Sequence, residues 1–338
     1  MKTPQNQNQL SAKTSGPFWL LTTVFLITAV LAEAQPTKKV HRVGFSSPVA
    51  ASGVTTNLDS FRRGLRELGY VEGKNIIIEY RWAEGKLDRL PGLAAELVNL
   101  GVDIVVAGGT PPVLAAKQAT STIPIVAANA DNLVELGVAA SLARPGGNVT
   151  GLTRVDADFS AKRLELLKEC FPQLSRVAIL SHGALGADQE ELQESRAVAR
   201  KVGVEIHSFT VQDPGQFLDT YAEISKRRAE ALVFFTSAFT VFHRGQLVEL
   251  AIKSRLRTIC GGASWSNDGC LLSYGPNVTE LYRRAAVFVD KLLKGATPAD
   301  LPVEQPTKFE FIVNLKTAQQ IGVTIPPNVL ARADRVIR

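Results

Sequence analysis

From Val40 onward the chain alternates short apolar runs with amphipathic stretches, and it does so in two successive passes. In the first pass Arg42-Val43-Gly44-Phe45-Ser46 reads as a strand. A helix follows with Leu58, Phe61, Leu65 and Leu68 on one face and a stop at Gly69. Ile76–Tyr80, Asp103–Ala107 and Ile123–Ala127 read as further strands. They alternate with a helix over Leu87–Leu100, one opened by Pro111-Pro112, and a fourth expected to end at Ala143. After an extended run over Val149–Thr153 the cycle restarts at Arg176–Ser181. Strands at Val204–Phe209 and Ala231–Phe235 then alternate with helices over Gln189–Val202, Pro214–Lys226 and Phe239–Arg255. Strict alternation with Val/Ile-rich strands predicts parallel sheets covered on both faces. Two passes predict an α/β protein of two doubly wound Rossmann-like lobes. Late elements at Leu271–Tyr274, Thr279–Lys294 and Phe309–Val313 are expected to cross between the lobes, leaving each discontinuous in sequence.

The chain has 338 residues, long enough for two domains. Its net charge of +6 is scattered in short groups such as Arg62-Arg63 and Arg283-Arg284, with no basic stripe carrying interleaved aromatics, which argues against nucleic-acid binding. The first residues have a different character. Lys2 and Lys13 precede an apolar run from Phe18 to Leu31, then Ala32-Glu33-Ala34, a small-x-small pattern before Gln35. This reads as a secretory signal peptide over residues 1–34, cleaved after Ala34, and an exported, periplasmic mature chain. Cys170, Cys260 and Cys270 are the only cysteines. Cys260 and Cys270 flank a Gly-rich turn and pair if their strands are neighbours, but so few cysteines in a large core-forming chain favour buried free thiols.

Doubly wound sheets bind ligands at the carboxyl ends of their strands. In the first pass those ends carry Ser46, Ser47, Thr110, Asn129, Asp131, Asn132 and Thr153. In the second they carry His182, Thr236, Ser237, Ser264, Trp265 and Tyr274. Hydroxyls and free backbone N–H groups suit a carboxylate, Asp131 suits a ligand ammonium, and Trp265 or Tyr274 suits an apolar or aromatic part. The same Ser, Thr, Asn and Asp residues also cap helices, so both roles stay open for each. Motifs for catalysis are lacking: there is no GxGxxG after the first strand, no GxxxxGK[ST], and no GxSxG, since Gly262-Ala263-Ser264-Trp265-Ser266 lacks the closing glycine. The histidines His41, His182, His207 and His243 share no metal-ligand spacing. A non-enzymatic protein without cofactor or metal is expected.

The run Gly64-Leu65-Arg66-Glu67-Leu68-Gly69-Tyr70-Val71-Glu72-Gly73-Lys74-Asn75-Ile76, followed by Glu79-Tyr80-Arg81-Trp82-Ala83-Glu84-Gly85, resembles the ABC-transporter substrate-binding protein family related to tryptophan-binding transport proteins. So do Ser141-Leu142-Ala143-Arg144-Pro145-Gly146-Gly147-Asn148-Val149-Thr150-Gly151, Ser273-Tyr274-Gly275-Pro276-Asn277 and Leu301-Pro302-Val303-Glu304-Gln305-Pro306-Thr307-Lys308-Phe309. The resemblance implies a type I periplasmic-binding-protein clamshell. Its N-terminal lobe would comprise 40–153 plus about 275–303, and its C-terminal lobe 154–274 plus about 304–338. It further implies capture of a small solute, with an amino acid or small carboxylate favoured, by a monomer that delivers it to an ABC permease with its ATPase. A sensing module for a membrane signalling partner is the alternative. Where members of this family carry an Asp-Pro pair after the fourth strand, this chain has Asn132-Leu133 with Asp131 one residue earlier.

Overall fold

The structure, a computed structural model, describes residues 40–154, 156–183 and 187–338. The leader read over residues 1–34 lies outside them. The first sheet contains β1 (His41–Ser47), β2 (Ile76–Trp82), β3 (Ile104–Ala107), β4 (Ile125–Ala130) and β5 (Val149–Thr153), in the order β2-β1-β3-β4-β5. All its pairings are parallel. Its central strand β3 is buried throughout, as a strand covered on both faces must be, whereas the edge strand β2 is partly exposed. The second sheet contains β6 (Arg176–Ser181), β7 (Glu205–Thr210), β8 (Ala231–Phe234), β9 (Arg257–Cys260), β10 (Leu272–Pro276), β11 (Phe309–Asn314) and β12 (Arg335–Ile337), in the order β12-β11-β10-β9-β8-β6-β7. From β7 to β10 this repeats the winding of the first sheet. β11 then adds antiparallel to β10, and β12 parallel to β11.

The helices follow the periodicity of their sequences. Helix Thr55–Glu67 turns Leu58, Phe61 and Leu65 inward. Its partner is distant in sequence: helix Val278–Leu293, begun by the Asn277 side chain accepting the Glu280 amide at 2.9 Å. That helix follows β10 of the second sheet yet packs Leu281, Tyr282, Ala285, Phe288 and Val289 into the core of the first. Residues 299–304 continue along the first sheet. Leu301 accepts the Thr150 hydroxyl at 2.7 Å, and the Glu304 carbonyl accepts the Thr153 amide at 3.0 Å.

The structure corrects the reading in three places. The segment expected as a helix ending at Ala143 is a series of turns, in which the Val138 and Ala139 amides both bond back to the Leu133 carbonyl. Burial of Leu133, Val138 and Ala139 against β4 fixes that path in place of a helical one. The helix read over Phe239–Arg255 is two, Ala238–Phe242 and Arg244–Lys253. They break at His243, whose ring packs on Phe217 and Phe239. Cys260 and Cys270 are bridged rather than free, their α-carbons 6.6 Å apart. β9 and β10 are neighbours, so the short Gly-rich excursion between them returns Cys270 beside Cys260. Cys170 is a buried free thiol, and burial pushes its pKa up to about 12.

Candidate functional site

Both sheets reverse their winding at equivalent places, between β1 and β3 and between β6 and β8, and a crevice forms outside the strand ends at such points. A cavity of ≈ 790 Å³ lies there, walled by residues that follow strands of both sheets.

On the first-sheet side, Ser47, Thr110, Asn129, Asp131 and Asn132 line the wall. Ser46 does not reach it: it is buried, and its carbonyl accepts the Gly108 amide at 2.8 Å. The Thr110 hydroxyl donates to one Asp131 oxygen at 2.6 Å, while Arg154 donates to the other from Nε at 3.1 Å and Nη2 at 2.7 Å. Thr153 stands behind this cluster rather than on the wall, donating its hydroxyl to the Asp131 carbonyl at 2.7 Å and accepting the Leu133 amide. Burial works to raise the Asp131 pKa, but the Arg154 charge and the hydrogen bonds from Thr110 and Arg154 outweigh it. The carboxyl is thus held below its ordinary 3.8 and is ionised at neutral pH. Asn132 is engaged with Glu135 and accepts the Val134 amide at 3.2 Å.

On the second-sheet side, His182, Thr236, Ser237, Ser264 and Trp265 line the wall. The His182 ring stacks on Phe239 at 4.4 Å and 14°. Burial lowers its pKa and the Asp188 carboxylate offsets this only in part, which keeps the imidazole neutral at pH 7. Ser237 is an N-cap, accepting the Thr240 amide at 3.1 Å. Trp265 is 1% exposed and stacks on Phe234 with centroids 5.0 Å apart. Its indole N–H, the Thr236 hydroxyl and the Asn129 side-chain oxygen are buried without a partner among the described residues. Tyr274 is off the wall, packed on Phe309, and its carbonyl accepts Arg163 Nε at 2.9 Å.

Arg154 and Tyr282 are among the wall residues that escaped the sequence reading. Arg154 directly follows β5, so the strand-end rule carried one residue further finds it. Tyr282 comes from helix Val278–Leu293 and has no local signal. It is buried except at the cavity, and burial raises its phenol pKa against the opposing pull of Arg154. Among the described residues there is no cluster of His, Cys, Asp and Glu suited to a metal ion, and no helix long and apolar enough to cross a membrane.

Two doubly wound, largely parallel sheets with a cavity lined from the strand ends of both are those of the type I periplasmic-binding-protein clamshell fold. The profile of the family described as ABC transporter substrate binding protein matches residues 42–337, and the chain belongs to that family. It is similar to a tyrosine-binding protein of Clostridioides difficile (strain R20291), 24% identical over 292 residues that cover 85% of this chain and 82% of the relative. Among solved structures it resembles an ABC domain from Streptococcus pneumonia in complex with L-Trp, at 24% identity and TM-score 0.81, covering 88% of this chain and 99% of that one. A conserved domain protein from Vibrio cholerae matches at 24% identity and TM-score 0.82, covering 88% and 100%.

Proposed function

We propose that this protein captures a small solute, an amino acid or small carboxylate, in the cleft and delivers it to the permease and ATPase of an ABC importer. The observation that carries this reading is the cavity itself. At ≈ 790 Å³ it falls in the range of small-molecule sites, and its wall draws on both sheets. A relative named for tyrosine and a similar structure holding L-Trp support the amino-acid class.

In this reading the lobes comprise 40–153 plus about 275–303 and 154–274 plus about 304–338, and they close about the segments that connect them. Ser47, Thr110, Asn129, Asn132, Thr236, Ser264 and Trp265 supply solute contacts. Asp131, held by Arg154 and Thr110, acts first as the partner that orients Arg154. The chain works as a monomer outside the cytoplasmic membrane after loss of residues 1–34.

A thermal-shift screen of residues 35–338 tests the proposal, with L-tyrosine, L-tryptophan, other amino acids, small carboxylates, aromatic acids and sugars. A solute that binds only the folded state adds about 2.7 kcal/mol at a hundredfold excess over its Kd. A clear rise in Tm with one acid or amino-acid class supports the reading; a rise with sugars alone overturns the solute class.

A further inference from the structure

We propose that Phe242 and Gly85 form a latch across the mouth of the cleft, which favours the closed form before any solute contributes. Gly85 lies in the turn after β2 of the first sheet, and Phe242 ends the helix after β8 of the second. The outer edge of the Phe242 ring, at Cζ, Cε1 and Cε2, stands 2.5–2.7 Å from where a β-carbon on Gly85 would be. The ring therefore rests on bare glycine backbone contributed by the other lobe.

Both sides of this contact are built for it. Glu84 and Gly85 have φ of 56° and 80°, and the Lys86 amide donates to the Ala83 carbonyl at 3.0 Å. This tight turn places a non-glycine residue in an uncommon backbone state. The turn is pinned to the cleft wall, with the Ala83 amide on the Ser47 carbonyl at 3.0 Å and the Gly85 amide on the Pro48 carbonyl at 2.8 Å. Glycine is needed twice at position 85, for its positive φ and for the space that the ring occupies. Phe242 meanwhile keeps 41% of its surface exposed, unusual for a ring of its size, and meets His243 edge-on at 4.9 Å. His243 packs on Phe239, which stacks on His182 of the cavity wall. The latch thus joins an aromatic wall on one lobe to the Ser47–Pro48 wall on the other. Release of an enclosed solute requires the ring to leave Gly85; this consequence rests on the receptor reading, whereas the contact does not.

Nitroxide labels on Asp88→Cys and Gln246→Cys, exposed residues that flank the latch outside the cavity wall, report the distance across the mouth by pulsed dipolar spectroscopy without added solute. The expected result is a short-distance population in the otherwise unaltered chain. Phe242→Ala should reduce its ratio to the long-distance population about tenfold, the factor equivalent to about 1.4 kcal/mol. Phe242→Ala combined with Gly85→Ala should change the ratio no further than the stronger single variant, because each removes the same contact. Melting curves check that each variant folds, and Phe242→Ala alone decides the matter if Gly85→Ala does not. Absence of the short-distance population, or no change with Phe242→Ala, overturns the latch. Failure of the receptor reading would appear in the solute screen and leaves these distances untouched.

Discussion

Both carboxylate oxygens of Asp131 already have partners, Thr110 on one and Arg154 on the other. The side chains of Arg154 and Asp131 are only 11% and 21% exposed, so water screens the pair weakly. Asp131→Asn keeps the shape but removes the carboxylate charge beside Arg154, and should destabilise the fold by about 2 kcal/mol, less than for a fully buried pair. The pH dependence has a definite sign. The folded pKa lies below the ordinary 3.8, so the stabilisation is complete above the unfolded value and disappears as pH falls through the folded one. Urea melts from about pH 6 to about pH 2 should therefore show the unaltered chain losing more stability on acidification than Asp131→Asn; equal slopes would refute this. At this scale the sequence was informative about positions and poor about directions. Strand ends put Ser47, Thr110, Asn129 and Asp131 on the cavity wall. The same rule included Ser46, Thr153 and Tyr274, which stand off the wall, because it does not say which way a side chain leaves the strand. Tyr282 was invisible because its position depends on a helix more than a hundred residues beyond the strands it serves.

At the scale of elements, periodicity identified the inward faces of the helices but not what they meet. Leu58, Phe61 and Leu65 mark an apolar stripe on Thr55–Glu67, and nothing nearby in sequence names Val278–Leu293 as its partner. Gly64 shows how close that crossing is. A β-carbon there would stand 2.6 Å from the Arg283 carbonyl oxygen and 2.9 Å from the Ala286 β-carbon. Replacing glycine by alanine inside a helix ordinarily gains about 1 kcal/mol, whereas overpacking of this kind costs about 1–3 kcal/mol. The blocking atoms are backbone and a β-carbon, neither able to swing aside, so the cost should win. Gly64→Ala is expected to lower stability by about 1 kcal/mol in urea melts, and a stabilised variant would show that the helices can separate. The mistaken helix before Ala143 has the complementary cause. Leu133, Val138 and Ala139 are five and one residues apart, a spacing that no single helix face collects, and all three are buried because the chain runs in turns. The Cys260–Cys270 bridge was undecidable from counting because it depends on β9 and β10 being neighbours.

For the whole molecule, alternation of apolar runs and amphipathic stretches was enough to anticipate two doubly wound sheets, because parallel strands need covering helices on both faces. Their dependence on late sequence has a testable consequence. Residues 40–153 contain all the strands of the first sheet, but its core also needs Leu281, Ala285, Phe288 and Val289. Each large side chain among these contributes about 1.5–3 kcal/mol when buried, and a domain's whole stability is about 5–15 kcal/mol. Residues 299–304 add hydrogen bonds to β5 and to the Leu142 loop, with the Val303 amide on the Leu142 carbonyl at 2.7 Å. Residues 40–153 alone should therefore remain loosely packed, binding a hydrophobic dye and giving poorly dispersed amide resonances. The same residues joined by a short Gly/Ser linker to residues 277–304 should give a cooperative thermal transition, with Phe288 and Leu281 again over Phe61 and Leu65. Folding of the short fragment unaided would mean that the first lobe is complete before the chain crosses back. Failure of the linked one would mean that its stability requires the second lobe as well.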